Sequence, residues 1–378
     1  MRTRVTEMLG IEFPILAFSH CRDVVAAVTN SGGFGVLGAV AMSADQLETE
    51  LQWIDEQVKG KPYGLDLLFP TVSGLGQSAV EATTQVAELI PDAHRQFLDG
   101  LLKRYGVPEL PEEVQREVST PRGSLALARR TYEPMFEVAY AHGIKLIASG
   151  LGSPPPDVVE DAHKNGALVL ALAGAKVHAE RHVNASVDLI VAQGTEAGGH
   201  TGEVATMVLV PEVVDAVKPT PVLAAGGIAN GRQMAAAMAL GAEGVWCGSV
   251  WLTTEEAETH PVVKEKFLAA TSRDTVRSRS LTGKPARMLR SAWTEEWEKP
   301  DNPDPLPLPL QSVLIAEARG RIARASHEKG SGAEQLDNYF VGQVVGQLNQ
   351  VKTVRQVVQE MLSEYVDAIE RLDELSVG

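Results

Sequence analysis

One stretch of this sequence collects the groups that acid–base chemistry needs. Gln193-Gly194-Thr195-Glu196-Ala197-Gly198-Gly199-His200-Thr201-Gly202 places an amide, a carboxylate and an imidazole on one glycine-rich loop. An imidazole titrates near neutral pH and can give or take a proton, which makes His200 the candidate catalytic residue. A loop histidine taken alone is usually just solvated. His200 stands apart because its loop follows a buried apolar run, whereas His163, His178 and His182 read as helix-surface residues. Two more glycine clusters follow, Ala224-Ala225-Gly226-Gly227-Ile228-Ala229-Asn230-Gly231 and Gly248-Ser249. Without a Cβ, backbone N–H groups can approach a dianion closely, and a helix starting just beyond adds a favourable dipole.

Elements that could hold these loops are legible as short apolar runs alternating with helical patterns. Strands are expected within Phe13–Phe18, Gly33–Ala39, Tyr63–Phe69, Lys145–Gly150, Ala167–Gly174, Asp188–Gly194, Thr220–Gly227 and Gly244–Ser249. They are continuously apolar, as strands buried on both faces should be. Helical patterns lie between most of them. Ser43–Val58 opens on a capping serine with Gln46 three residues on, and Asn230–Leu240 ends at Gly241. An open doubly wound sheet shares this alternation, but eight strands point to a closed (β/α)8 TIM barrel. Such barrels often hold a phosphate between the loops after their last two strands, where Gly226-Gly227 and Gly248-Ser249 fall.

A barrel takes roughly 250 residues, and this chain has 378. We expect a barrel over residues 1–300, interrupted by an insertion at 71–130, and a C-terminal helical extension over 301–378 packed on it. The insertion contains a helical stretch, Ala93–Tyr105, and is either a lid over the active-site face or a surface excursion. The extension begins after the proline-rich Pro300–Pro309 and carries helical patterns at Leu310–Ala325 and Val351–Leu375.

Composition narrows the partners. Lys+Arg total 34 against 49 Asp+Glu, a formal charge of -15 that repels nucleic-acid backbones. A small-molecule substrate is expected, with no nucleic acid, no membrane and self-association left open. Two cysteines, Cys21 and Cys247, make no disulfide framework. The N-terminus lacks a signal-peptide pattern, and no run reaches the ~18 apolar residues of a membrane helix. A cytoplasmic location fits.

The run Val191-Ala192-Gln193-Gly194-x-Glu196-Ala197-Gly198-Gly199-His200 resembles the signature of the nitronate monooxygenase (2-nitropropane dioxygenase) family. So do Asn30-Ser31-Gly32-Gly33-Phe34-Gly35 and Ala225-Gly226-Gly227-Ile228-Ala229-Asn230-Gly231, and the resemblance runs in order over roughly residues 5 to 255. It implies a barrel that binds flavin mononucleotide (FMN). By the same resemblance Gly226, Gly227, Gly248 and Ser249 hold the flavin phosphate. Gln193, Gly198 and Gly199 line the flavin, and His200 faces its reactive edge. Gly174 and Lys176 are further phosphate candidates, with a helix surface as the other reading of Lys176.

Two positions depart from that pattern. Where many members carry a Pro-Met-Gly-like turn, this chain reads Ala17-Phe18-Ser19-His20-Cys21, so Ser19 and His20 are substrate-side candidates. Where the family has asparagine beside the flavin, this chain has Asp66. Two activities remain open. One oxidises alkyl nitronates with O2. The alternative is an NAD(P)H-dependent flavin reductase or dehydrogenase of an enoyl or acyl thioester or a quinone, although no GxGxxG run follows a strand and opens a helix with a later acidic residue.

Overall fold

The computed structural model describes residues 1–40, 42–67, 69, 85–111 and 133–376. The first six strands are β1 (Ile15–Ser19), β2 (Phe34–Gly38), β3 (Gly64–Leu67), β4 (Leu146–Ser149), β5 (Leu168–Ala173) and β6 (Leu189–Gln193). A two-residue strand β7 (Gly199–His200) then branches off, and β8 (Val222–Ala225) and β9 (Val245–Cys247) complete the ring. Strands β1 to β6, β8 and β9 form a closed parallel barrel, sealed where Ile15 pairs with Val245 and Ala17 with Cys247. Seven of the eight expected strand windows contain one of these strands, and the first, Phe13–Phe18, overlaps β1, which runs one residue further to Ser19.

Side-chain alternation explains why the strands read as unbroken apolar runs. Leu16, Val36, Leu146, Leu170, Val191 and Trp246 fill the lumen, while Ile15, Leu37, Leu65, Ile147, Val169 and Ile190 face the helices. Helix Arg4–Leu9 sends Val5 and Leu9 into the lumen cluster. Helix Ala44–Val58 starts as expected, with Ser43 accepting from the Gln46 amide and Gln46 reciprocating. His182 corrects the surface reading. It is 2% exposed, its Nε2–H donates to the Leu172 carbonyl, and Nδ1 accepts from the Ser153 hydroxyl.

Beyond the barrel lies a second core, and the boundary expected near residue 300 does not separate the two. Helix Asp92–Arg104 of the insertion packs Leu98, Leu101 and Leu102 against Met288, Trp293 and Trp297, and against Leu314, Ile315 and Ile322 of helix Leu310–Ala325. This core therefore draws on the insertion and on both sides of residue 300. Each such side chain removed from water contributes roughly 1.5–3 kcal/mol. The described part of the insertion is a structural partner of the C-terminal extension; residues 71–84 and 112–130, where a lid was the other expectation, lie outside the described residues. Strands β10 (Thr275–Ser278) and β11 (Ala286–Leu289) form a hairpin whose β11 pairs with β7, Ala286 opposite His200 and Arg287 opposite Gly199. The final helix, Val354–Ser376, packs back on the barrel, with its backbone at Met361–Tyr365 against Gly231.

Candidate active site

At the C-terminal rim, alternation turns Phe18, Gly38, Asp66, Gly150, Gln193 and Gly248 toward the lumen. Glycine replaces bulk at three of these positions. A Cβ on Gly248 would meet nothing within 4 Å, so the mouth is open there. Asp66 is 5% exposed, with Leu65 and Leu67 on either side facing outward. Burial holds its pKa at about 8 against the opposing pull of the Gly150 amide, so the carboxyl is largely protonated at neutral pH. Its Oδ1 is buried without a partner among the described residues. Lys61, the cation nearest in sequence, donates instead to the Asn30 carbonyl. The half-buried Gln193 amide also has no protein partner among the described residues.

The two residues flagged at the end of β1 part company. His20 Nδ1–H donates to the Gly38 carbonyl at 2.7 Å, and its ring meets Phe18 edge-on at 5.1 Å. That bond fixes the neutral tautomer and leaves Nε2 as an acceptor. Desolvation lowers the His20 pKa, partly offset by the Gly38 carbonyl. Ser19 belongs to the outer face, where its hydroxyl accepts the Cys21 amide at 3.1 Å; it does not join the mouth.

Gly226 and Gly227 have φ of 90° and 72°, left-handed values that only glycine adopts without strain. Neither amide donates to a protein acceptor among the described residues. Two successive N–H groups without partners form an anion-binding concavity. Gly226 lies against the Gly194 carbonyl and Gly227 near Glu196, so the loop after β6 backs this cradle. Gly174 is packed on Gly202, where a Cβ would stand 2.8 Å from the Gly202 amide. Lys176 opens helix Lys176–Asn184, half-exposed and 3.9 Å from Glu180, which matches its helix-surface reading. The expected dipole from helix Gly231–Ala239 is also taken: the Gly231 amide donates to the Glu364 carboxylate at 3.0 Å.

His200 sits on β7, held by the hairpin and not by the barrel. Its Nε2 is 2.8 Å from the Thr282 hydroxyl, and its ring centroid is 6.2 Å from Phe340. Burial, then the charge of Lys284, lowers its pKa to about 4, so the imidazole is neutral at physiological pH. Nδ1 has no protein partner among the described residues and is not buried. Arg287 ties the hairpin to the loop by donating to the Thr195 carbonyl at 2.8 Å. Glu196 is structural: its carboxylate accepts the Thr206 amide at the start of helix Thr206–Val217.

Sequence reasoning missed the strap at Tyr339–Gln343. Gly342 N–H donates to Ser249 Oγ at 2.8 Å, and Gln343 N–H donates to the Glu196 carbonyl at 2.9 Å. Gly198 lies against it, since a Cβ there would be 2.8 Å from the Gly342 amide. Nothing in the local composition of this segment signals such a contact. Gly199, with φ of 77°, faces open space.

A buried carboxyl oxygen without a partner, two free amides and an open glycine in one barrel mouth fit a planar cofactor that carries a phosphate. Known proteins resemble this chain over most of its length. A Mycobacterium tuberculosis protein provisionally named a monooxygenase is 64% identical over 376 residues, spanning 99% of both chains. A Staphylococcus saprophyticus protein provisionally named a nitronate monooxygenase is 29% identical, spanning 85% of this chain and 88% of its own. Among solved structures, FabK from Thermotoga maritima is 27% identical with a TM-score of 0.72 over 99% of each chain. Nitroalkane oxidase from Streptomyces ansochromogenes has a TM-score of 0.79 at 24% identity, over 98% of this chain and 100% of its own, a likeness of fold. The sequence pattern of one family, nitronate monooxygenase, runs through residues 2–364 and so takes in the barrel, the hairpin and the strap together. This chain belongs to the nitronate monooxygenase family of oxidoreductases.

Proposed function

We propose that the protein is an FMN-dependent enzyme that oxidises alkyl nitronates with O2. One observation carries the reading: the mouth combines a backbone cradle with unengaged amides at Gly226 and Gly227 and a neutral imidazole at His200. Gly226, Gly227, Gly248 and Ser249 hold the phosphate. Asp66, Gln193, Gly198 and Gly199 line the ring. Bound there, the flavin supplies the ring that accepts electrons from the substrate before they pass to oxygen.

The state of His200 selects among substrates. An imidazole whose pKa is about 4 is a poor acceptor for a proton on carbon. A nitronate is already ionised and needs no such step. His200 then serves as a neutral hydrogen-bonding group that orients the nitro oxygens. The Thr282 hydroxyl has one proton, and the Lys284 carbonyl at 3.2 Å competes with His200 Nε2 for it. The imidazole can therefore present Nδ1 as donor or acceptor without becoming charged.

Anaerobic mixing tests the reading. Flavin absorbance should bleach with an alkyl nitronate and persist with NADH or NADPH. The reverse pattern would replace it with the reductase activity.

A further inference from the structure

We propose that Gly342, which lies outside the barrel strands, is a positioning residue for the flavin phosphate, acting through the Ser249 hydroxyl. The proposal rests on the cofactor reading above. A serine hydroxyl has one proton and two lone pairs. Gly342 N–H occupies one lone pair at 2.8 Å. The Ser249 proton itself has no protein acceptor among the described residues. The N–H therefore turns that proton away from the strap, and the phosphate is the acceptor it meets.

The fit of the strap requires glycine on both sides. A Cβ on Gly342 would stand 2.6 Å from the Glu196 carbonyl oxygen and 3.0 Å from the Gly198 amide. A Cβ on Gly198 would stand 2.8 Å from the Gly342 amide. These approaches are tighter than side-chain carbons tolerate, and the facing partners are backbone. The requirement is one of close approach, because Gly342 has an ordinary φ of -80°. The same segment continues to Gln347, whose side-chain oxygen accepts from Asn230 at 3.0 Å. One stretch of the extension thus touches the loops after β6, β8 and β9.

A purely structural strap would affect any flavin. A strap that orients Ser249 should affect only a flavin with a phosphate. Apoprotein is titrated with FMN and with riboflavin, reading the quenching of flavin fluorescence. Wild type should strongly prefer FMN. Replacing the Gly342 amide with an ester, which removes the N–H and adds no bulk, should weaken FMN by about tenfold, the value of one hydrogen bond to a charged group, and leave riboflavin within threefold. On a Ser249→Ala background the Gly342 change should have no additional effect. Equal weakening of both flavins, or an unchanged FMN affinity in the ester variant, overturns the proposal. Equal binding of both flavins by wild type overturns the phosphate reading beneath it instead.

Discussion

The two ends of the mouth are built by different means. At the end we assign to the phosphate, the groups that matter are backbone amides: Gly226 and Gly227 in left-handed conformations, beside the open Gly248. At the end we assign to the ring, they are side chains whose protonation is set by burial: Asp66 with a pKa of about 8 and His200 with one of about 4. A backbone cradle is indifferent to pH and sensitive to any side chain that fills it. A pair of shifted side chains tolerates neighbours and responds to pH. Binding and chemistry should therefore fail separately.

Filling the cradle should give the largest effect. Gly227→Asp introduces a carboxylate beside a phosphate dianion, at a φ of 72° that a side chain adopts only with strain. Flavin affinity should fall by at least ~100-fold, equivalent to about 2.7 kcal/mol, while circular dichroism remains that of a folded barrel. Wild-type flavin content in this variant would remove the phosphate from Gly226–Gly227.

His200→Ala should do the opposite, leaving flavin bound and slowing turnover. The expected loss is ~100-fold, the low end for removing one positioned hydrogen-bonding group. Because burial lowers the His200 pKa to about 4, kcat/KM of wild type should show no inflection near the ordinary histidine value of 6.5. Rates within threefold of wild type would make His200 a loop residue with no part in the reaction.

Asp66→Asn is the smallest change and the sharpest test of the ring end. Below about pH 7 the protonated acid donates much as an amide does, and the two reduction potentials should agree. Above pH 8 the carboxylate opposes negative charge on a reduced ring. The wild-type potential should then fall below that of the asparagine variant by roughly 30 mV per pH unit for a two-electron couple. Stability follows the same proton. A carboxyl whose folded pKa is raised from 3.8 to about 8 holds a proton that the unfolded chain releases between those values. Its contribution therefore declines as pH rises through that window, and Asp66→Asn should remove the slope. A redox titration at several pH values and thermal melts of the apoprotein measure both. Identical potentials at every pH would separate Asp66 from the flavin.

How legible each part was follows from these differences. The eight barrel strands could be read because burial on both faces imposes unbroken apolar runs, as in Leu189–Gln193. The cradle could be read because Gly226 and Gly227 stand at the end of such a run. The state of His200 could not, since it depends first on burial and then on the charge of Lys284, some 80 residues away on a hairpin of unremarkable composition that also supplies its partner Thr282. The hairpin itself escaped notice because β10 and β11 are four residues each and Arg277 and Arg287 interrupt their apolar pattern. The role expected for the start of helix Gly231–Ala239 was misread for a similar reason: the carboxylate that takes its amide, Glu364, comes from the far end of the chain.

Mass spectrometry of the cofactor released by heating the purified protein tests the central assignment most directly. One FMN per chain is the expected result, since the amides of Gly226 and Gly227 offer a single anion cradle and no dinucleotide fingerprint follows a strand. A flavin dinucleotide, or no flavin after reconstitution, would contradict it.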